Sequence, residues 1–316
     1  MGGSPTHTVG LDVSVGPLIL PNPVMTASGT AGYGTEGLAW ICPESLGAFV
    51  TKGLSLEPRQ GNPPPRIAET PAGMLNAIGL ENIGIEAFAR EHLPALRAQG
   101  VRVIVNIFGE TEDAYARLAA RLSREAGIAA MEMNVSCPNV RKGGRAFGRD
   151  PEVLHGVVRL VRGETGLPLL VKLAPDGVDV LGAGQAAWEG GCDGLTVANT
   201  YLGLAVDVRS RRPRLSSGTG GLSGPAIRPL TVYRVWRLAR SSPVPIIGVG
   251  GIASAQDALE YLIAGATAVQ VGSGAFRNPG LYREVIEGLR EYLTEHGHGH
   301  VSEIIGTLEG MPEPVL

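Results

Sequence analysis

Eight short apolar segments, each followed by a stretch with helical periodicity, constrain the fold of this chain more than any other feature. The segments are largely continuous in apolar character, as strands buried on both faces of a parallel sheet require. They cover residues 24–27, 48–51, 101–107, 129–135, 169–173, 194–198, 245–249 and 268–271. The predicted helices cover residues 36–42, 83–98, 112–126, 151–165, 178–190, 227–240, 255–264 and 280–294. Eight such units favour an α/β fold with a closed (β/α)8 TIM barrel over an open doubly wound sheet.

The chain length fits one barrel domain over residues 1–316, since a barrel of this kind typically takes about 250 residues and often more. Residues 8–20 precede the repeating pattern and hold Gly16-Pro17 between two strand-like runs. Such a turn between apolar runs predicts a β-hairpin. We expect this N-terminal hairpin to cover the bottom of the barrel.

Charge and cysteine content exclude several classes of protein. A formal net charge of −3 offers no basic surface for nucleic acid or an anionic membrane. Cys42, Cys137 and Cys192 form no CxxC pair and no disulfide framework, which favours a reducing cytosol. No apolar run reaches the ~20 residues that span a bilayer, and the first residues lack the pattern of a signal peptide. The sequence therefore predicts a soluble cytoplasmic domain.

The residues at the predicted strand ends indicate a functional site, because the carboxyl ends of barrel strands converge on one mouth. Most of these residues are small, amide-bearing or lysine. The chain has three lysines, and two of them, Lys52 and Lys172, follow apolar runs. The strand-end residues are Ser28, Lys52, Asn106, Asn134 to Cys137, Lys172, Asn199, Thr200, Gly250, Gly251, Gly272 and Ser273.

The segment 131–139, MEMNVSCPN, begins as a strand and becomes polar within a few residues. Asn134, Ser136 and Asn139 offer neutral hydrogen-bonding groups, while Cys137 offers an ionisable thiol. A free cysteine is most often a buried apolar residue. Its place at a strand end among amides favours a chemical role instead.

Two glycine turns follow the seventh and eighth predicted strands, at residues 248–251 and 272–274. Barrels commonly bind phosphate there, because glycines let backbone N–H groups approach phosphate oxygens closely. A Rossmann dinucleotide site is not supported, since no GxGxxG with a distant acidic residue is present. A phosphate site with amides and a lysine suggests flavin mononucleotide (FMN). An aldolase would pair its lysine with acidic partners, and we predict no strand-end carboxylates.

The sequence resembles the class 1 dihydroorotate dehydrogenases over essentially its whole length. Class 2 members carry serine where this chain has Cys137, and the segment 199–213 is most similar to class 1B catalytic subunits. The motifs that carry the resemblance are TASGTAGYG (26–34), TKGLSLEPRQGNPPPRIAET (51–70), NAIGLENIG (76–84), NVSCPNV (134–140), VKLAP (171–175), ANTYLGLAVDVRSRRP (198–213), GTGGLSGPAIRP (218–229), GVGGI (248–252) and VGSG (271–274).

The resemblance implies oxidation of (S)-dihydroorotate to orotate in pyrimidine synthesis, with Cys137 as the base for the C5 proton and hydride transfer from C6 to FMN. The implied substrate-binding residues are Lys52, Asn76, Ala77, Ile78, Gly79, Leu80, Asn134, Asn199 and Thr200. The implied FMN-binding residues are Ser28, Lys52, Asn106, Asn134, Lys172, Ala198, Gly224, Gly250, Gly251, Gly272 and Ser273. Residues 140–149 are rich in glycine and basic side chains and are expected to form a mobile lid.

The resemblance to class 1B also implies a homodimer and a partner subunit that carries FAD and a 2Fe–2S cluster and reduces NAD⁺. Fumarate, the acceptor of class 1A enzymes, stays open as an alternative. Reduction of uracil or thymine is the nearest rival activity, because dihydropyrimidine dehydrogenase contains a similar barrel and cysteine loop. An RNA dihydrouridine synthase is disfavoured by the net charge of −3.

Two polar clusters stay outside the predicted site. His296, His298 and His300 alternate with glycines after the last helix, which favours a solvated turn, and no metal site is predicted. The arginines between Arg209 and Arg214 form either a partner surface or a solvated loop.

Overall fold

A computed structural model of the chain describes residues 9–34, 42, 45–136, 138–139, 145–175 and 179–311, with only the backbone described at 138, 139, 145 and 146. Cys137 and all but the last residue of the predicted helix at 36–42 lie outside these ranges. So do residues 140–144 of the predicted lid.

The described strands are numbered in chain order. They are β1 (Val13–Val15), β2 (Leu18–Leu20), β3 (Val24–Thr26), β4 (Phe49–Val50), β5 (Ile67–Thr70), β6 (Gly73–Asn76), β7 (Val103–Ile107), β8 (Ile128–Asn134), β9 (Pro138–Asn139), β10 (Arg145–Ala146), β11 (Leu169–Lys172), β12 (Gly194–Val197), β13 (Tyr201–Gly203), β14 (Val206–Asp207), β15 (Arg212–Pro213), β16 (Gly220–Ser223), β17 (Ile246–Val249) and β18 (Ala268–Val271).

The described helices follow the same numbering. They are α1 (Ile85–Ala87), α2 (Leu93–Ala98), α3 (Glu112–Leu122), α4 (Pro151–Glu164), α5 (Val180–Glu189), α6 (Arg228–Ala239), α7 (Ala255–Ile263), α8 (Gly274–Arg277) and α9 (Leu281–Glu295). A π-helical segment, Phe88–His92, joins α1 to α2, and short 3-10 helices lie at Phe147–Arg149, Pro225–Ile227 and Val301–Glu303.

Eight parallel strands form the barrel, in the order β3-β18-β17-β12-β11-β8-β7-β4. The ring closes where Met25 of β3 bridges Ala48, and Gly47 N–H donates to the Val24 carbonyl at 2.8 Å. The predicted (β/α)8 barrel is confirmed. Its strand residues are almost all buried because helices cover the outer face and side chains fill the inside.

The helix boundaries follow from local capping. Thr111 Oγ1 accepts from the Ala114 N–H at 3.1 Å at the start of α3, and Ser254 Oγ accepts from the Asp257 N–H at 3.2 Å at the start of α7. Asp150 accepts from two backbone N–H groups at the start of α4. Each such cap satisfies backbone donors that the first helical turn leaves unpaired.

The N-terminal hairpin packs where it was predicted. β1 pairs antiparallel with β2 around Gly16, which has a positive φ of 59°. A Cβ on Gly16 would lie 2.8 Å from the Asp193 carbonyl oxygen, just before β12 begins. The hairpin therefore contacts the amino-terminal ends of the barrel strands and buries Leu20 completely.

A second sheet, which the sequence did not predict, lies beside the opposite end of the barrel. It is antiparallel, with the order β13-β16-β6-β5, and is built from the segments that follow β4 and β12. Ala68, Leu75 and Leu215 form its small apolar core. This sheet extends the walls of the mouth beyond the strand ends.

The histidines after α9 hold the end of the described chain against its beginning. His300 caps the 3-10 helix Val301–Glu303, and its Nε2 lies 3.2 Å from Asp12 Oδ1. His298 Nδ1 lies 3.1 Å from Glu303 Oε2. Among the helices that the structure describes, none combines the length and apolar character needed to cross a membrane.

Candidate active site

A cavity of about 560 Å³ opens at the carboxyl ends of the barrel strands, a size typical of small-molecule and cofactor sites. Of the predicted site residues that the structure describes, all except Gly224 line it. These residues are Ser28, Lys52, Asn76, Ala77, Ile78, Gly79, Leu80, Asn106, Asn134, Lys172, Ala198, Asn199, Thr200, Gly250, Gly251, Gly272 and Ser273. Cys137 lies outside the described residues, one position after Ser136, which also lines the cavity.

Gly224 lies behind the cavity wall. Its carbonyl oxygen is 2.8 Å from the position that a Cβ on Gly251 would occupy, and its φ is +102°. Gly251 itself has a φ of +72°. A side chain at Gly251 would be strained and would collide with Gly224, so the two glycines keep this part of the wall as bare backbone.

Two asparagines on neighbouring parts of the barrel fix one another. Asn199 Nδ2 donates to Asn134 Oδ1 at 3.1 Å, and the Ser136 N–H donates to the same oxygen at 3.2 Å. The Thr200 N–H donates to Asn199 Oδ1 at 2.8 Å. Because the Asn134 oxygen already accepts two bonds, its Nδ2 is the group that Asn134 presents to a ligand.

Lys172, at the end of β11, is buried, with 4% of its surface exposed. Its Nζ donates to Ser28 Oγ at 3.0 Å and lies 3.9 Å from Glu132 Oε1. Burial lowers the pKa of Lys172 from its usual value, while the negative charge of Glu132 acts in the opposite direction. The lysine thus reaches the cavity floor with an acidic group beneath it.

Glu132, which was not singled out from the sequence, is a carboxylate that lies within a barrel strand and not at its end. Glu132 lies in β8, two residues before Asn134, and is completely buried. It accepts hydrogen bonds from Asn106 Nδ2 at 2.7 Å, Thr196 Oγ1 at 2.9 Å and Gln270 Nε2 at 2.6 Å. With these bonds in place and no exposed surface, this carboxylate cannot act directly on a substrate in the cavity.

Lys52 follows β4 and faces the cavity from the other side. Its backbone N–H donates to the Gly32 carbonyl at 2.8 Å, which fixes the start of the loop. Among the described residues, no carboxylate pairs with its ammonium group. An unpaired cation in a concave site attracts an anionic ligand.

The loop 76–80 forms the cavity wall near Lys52 and is held from behind. Asn62 Nδ2 donates to the Ala77 carbonyl at 2.9 Å, and Arg59 Nε donates to the Gly79 carbonyl at 3.1 Å. Gly79 and Leu80 have positive φ angles of 80° and 59°. Bonds to several loop carbonyls therefore preform this wall before any ligand binds.

Comparison with known proteins agrees with this geometry. A model of the dihydroorotate dehydrogenase family matches residues 10–293. The chain belongs to the dihydroorotate dehydrogenase family. It is 53% identical over 300 residues to a protein of Trichlorobacter lovleyi, and 52% identical over 299 residues to one of Pelobacter propionicus. A Geobacter sulfurreducens protein is 48% identical over 299 residues.

The alignments cover 95% of this chain and 98–99% of the three relatives. Each relative is a dihydroorotate dehydrogenase B (NAD⁺), catalytic subunit. This similarity agrees with the resemblance to class 1B members of the dihydroorotate dehydrogenase family. The matched region contains all eight barrel strands and every residue that lines the cavity.

Membership of the dihydroorotate dehydrogenase family implies a flavin cofactor, and the donor set of the cavity fits one. Asn106, Asn134 and Asn199 offer amide groups suited to a flat heteroaromatic ring, and Lys172 offers a positive charge. Ser136 Oγ is buried with no hydrogen-bond partner among the described residues, as expected for a group that meets a ligand. The bare glycine backbone at Gly250 and Gly272 allows close approach of a bulky ligand.

Apart from Asn76 in β6, sequence reasoning missed the residues that the antiparallel sheet supplies to the site. Ile67, Met74, Leu202 and Ser223 line the cavity from β5, β6, β13 and β16. A signal was available, because Thr70 pairs with Gly73 across a two-residue turn between strand-like runs. These residues extend the dihydroorotate dehydrogenase cavity away from the barrel axis.

Proposed function

We propose that this chain binds FMN in the barrel mouth and oxidises (S)-dihydroorotate to orotate, the redox step of pyrimidine synthesis. The observation that carries the proposal is the ammonium of Lys52, which pairs with no carboxylate among the described residues, in one cavity with a preformed polar loop and the Asn134–Asn199 pair. Together these groups complement a flat heterocycle with a carboxylate. Family membership supports the same substrate.

The chemistry removes two hydrogens from neighbouring carbons. The C5 proton goes to a protein base, and a flavin held in the mouth would supply the acceptor for the C6 hydride, so that the C5–C6 double bond of orotate forms. We assign the base to Cys137, one residue after the cavity-lining Ser136. A thiol has a pKa near 8.5 that neighbouring groups can lower, and a positioned base typically accelerates proton removal by about 10²–10⁴-fold.

The side-chain geometry supports the proposed substrate contacts. Lys52 binds the carboxylate, and Asn134 and Asn199, held by their mutual hydrogen bond, bind the ring. The full proposed set is Lys52, Asn76, Ala77, Ile78, Gly79, Leu80, Asn134, Asn199 and Thr200. Because these groups are already fixed by the protein, little ordering is needed when the substrate binds.

The proposed flavin contacts divide between ring and phosphate. Asn106, Lys172 and Ser28 hold the ring, and Lys172 supplies positive charge beside it. The glycine turns after β17 and β18 hold the phosphate. The full proposed set is Ser28, Lys52, Asn106, Asn134, Lys172, Ala198, Gly250, Gly251, Gly272 and Ser273, with Gly224 supporting Gly251 from behind.

Uracil or thymine reduction is the rival activity, and Lys52 separates the two. Neither pyrimidine carries a carboxylate, so a free cation in the cavity would have no partner in such a substrate. The test is anaerobic mixing of the flavin-loaded chain with dihydroorotate or dihydrouracil while flavin absorbance is recorded. Bleaching by dihydroorotate at least about 10²-fold faster than by dihydrouracil supports the proposal. Equal rates would refute it.

We further propose that NAD⁺ is reduced through a partner subunit that carries FAD and a 2Fe–2S cluster. The three cysteines of the chain are fewer than the about four thiolates that an iron–sulfur cluster needs. The NAD⁺-linked relatives are catalytic subunits by name, which supports a partner for this chain. We also propose that the chain forms a homodimer and that the complex is cytoplasmic.

Turnover by the isolated chain tests whether NAD⁺ reduction requires a partner subunit. We expect reduction of artificial acceptors but very slow reduction of NAD⁺, which rises when the candidate subunit is added. Fast fumarate turnover by the chain alone would place it with class 1A enzymes. Fast NAD⁺ turnover by the chain alone would exclude the need for a second subunit.

A further inference from the structure

Glu132 connects five of the eight barrel strands beneath the cavity. It lies in β8, and its neighbours are Asn106 of β7, Lys172 of β11, Thr196 of β12 and Gln270 of β18. Its own exposure is 0%, so the carboxylate meets neither solvent nor a substrate. Glu132 can therefore affect a ligand only through the residues that it contacts.

The two carboxylate oxygens have different neighbours. Oε1 accepts from Asn106 Nδ2 at 2.7 Å and lies 3.9 Å from Lys172 Nζ, and both of these residues line the cavity. Oε2 accepts from Thr196 and Gln270, which lie below the lining. One oxygen therefore faces the site, and the other fixes the carboxylate to the barrel interior.

The contact with Asn106 decides which end of that amide is available. Because Nδ2 donates to Glu132, Oδ1 points the other way, and it lies 3.0 Å from the position of a Cβ on Gly53 in the cavity wall. Asn106 is thus presented to a ligand as a hydrogen-bond acceptor. Without an acceptor at Glu132, the amide would be free to turn over.

The contact between Glu132 and Lys172 affects the protonation of the lysine. Glu132 is the only acidic group within ion-pairing distance of Lys172 in the part of the chain that the structure describes. Burial alone favours the neutral amine, and the carboxylate favours the ammonium. Ser28 accepts one hydrogen bond from Nζ at 3.0 Å but contributes no charge.

We propose that Glu132 is a positioning residue of the flavin pocket, which fixes Asn106 as an acceptor and Lys172 as a cation beneath the cofactor. This inference rests on the proposed function in one respect, namely that Asn106 and Lys172 face the flavin. The alternative is that Glu132 only links barrel strands together. If Glu132 only links strands, removal of its charge should leave the titration of Lys172 and the affinity for FMN unchanged. If Glu132 positions the flavin pocket, both should change.

Glu132→Gln removes the charge and keeps an acceptor for Asn106, since the Thr196 hydroxyl can rotate and the Gln270 amide can turn to meet the new N–H group. Thr196→Val is the matched control, because it removes one donor from the same carboxylate on the side away from the cavity. Glu132→Asp retains the charge and provides the conservative rescue.

The first measurement needs no flavin. The chain has three lysines, Lys52, Lys142 and Lys172, so ¹³C-lysine NMR of the full chain with flavin removed gives few signals, assignable by single substitutions. We expect Lys172 to be an ammonium at pH 7.5 in the wild type and in Thr196→Val, and to titrate at lower pH in Glu132→Gln. A neutral Lys172 in the wild type would overturn the proposal, even where the Gln variant does not fold. So would an unchanged titration in Glu132→Gln.

The second measurement is the dissociation constant of FMN between pH 6 and pH 9. We expect binding to Glu132→Gln to be weaker by about tenfold or more at the alkaline end, the scale of one charge-assisted hydrogen bond. Glu132→Asp should recover most of the affinity, and Thr196→Val should stay within about threefold of wild type. Equal affinities for wild type and Glu132→Gln would overturn the proposal. Should the wild type bind no FMN, the proposed function fails, and the lysine titration alone decides the role of Glu132.

Discussion

Replacement of Lys52 by methionine tests substrate recognition most sharply. Methionine keeps an apolar stem of similar length but removes the ammonium that no described carboxylate neutralises. If Lys52 binds the substrate carboxylate, the change should weaken the binding of dihydroorotate. The binding of analogues without a carboxylate should change little. The same substitution at Lys172, compared at saturating FMN, shows what the loss of a lysine beside the proposed flavin site does instead, because that lysine is buried against Ser28 and Glu132.

The expected magnitude follows from the type of contact. A hydrogen bond to a charged group contributes about 1.5–3 kcal/mol, and each ~1.4 kcal/mol is a factor of ten in affinity. Lys52→Met should therefore raise the dissociation constant of orotate or dihydroorotate by about 10–150-fold. For dihydrouracil the change should stay within about threefold, since no ion pair is lost.

The assay is anaerobic titration of the flavin spectrum with orotate, together with stopped-flow reduction by dihydroorotate and by dihydrouracil. Wild type, Lys52→Met and Lys172→Met are compared in the same experiment. A loss of similar size for both dihydropyrimidines would show that Lys52 supports the flavin or the fold. It would refute the assignment of Lys52 to the carboxylate.

Four further predictions concern the base, the flavin, a buried thiol and the N-terminal hairpin. Cys137→Ala should retain flavin but slow its reduction by dihydroorotate at least about 10²-fold, and near-normal reduction in stopped-flow would exclude the thiol as base. Lys172→Met should weaken FMN binding by about tenfold or more in a fluorescence titration, and unchanged affinity would make Lys172 purely structural. Burial raises the pKa of Cys192 to about 12, so mass spectrometry should find Cys192 unmodified after iodoacetamide treatment of the native protein at pH 8. Leu20→Ala, in the fully buried part of the hairpin, should destabilise the protein by about 2–5 kcal/mol in denaturant unfolding without changing the flavin spectrum.

The barrel could be predicted because its signal is repeated. Eight continuous apolar runs alternate with amphipathic helices, and residues such as Thr111 and Ser254 mark the helix starts. The observed strand ends differ from the predicted ones by at most two residues, since hydrogen bonding ends at different points on neighbouring strands. The strand-end residues that line the cavity followed directly from the fold, because a barrel brings the carboxyl ends of all its strands together.

The antiparallel sheet beside the mouth was not predicted. β13 and β16 are short, and β16 pairs with β6, which lies far earlier in the sequence. Gly220 and Gly221 also weaken any strand signal. Ile67 and Leu202 are also exposed, so the alternation of buried and exposed residues is incomplete. Long-range pairing decided these elements, and a single sequence does not show such pairing.

Glu132 was missed for a different reason. In the sequence it is one charged residue among the apolar residues of a predicted strand, which gives no indication of a partner. Its partners Asn106 and Gln270 are 26 and 138 residues away, and barrel closure is what brings them to the carboxylate. Lys172 was recognised because it ends its strand and so faces the mouth.

The most direct test of the central claim is the amount of orotate formed in one anaerobic turnover of the isolated chain. Flavin-loaded protein is mixed with excess (S)-dihydroorotate without any electron acceptor, and orotate is measured against bleached flavin. The proposed reaction predicts one orotate per flavin, and none from protein stripped of flavin. Bleaching without orotate, or orotate without bleaching, would contradict dihydroorotate oxidation at the flavin in this cavity.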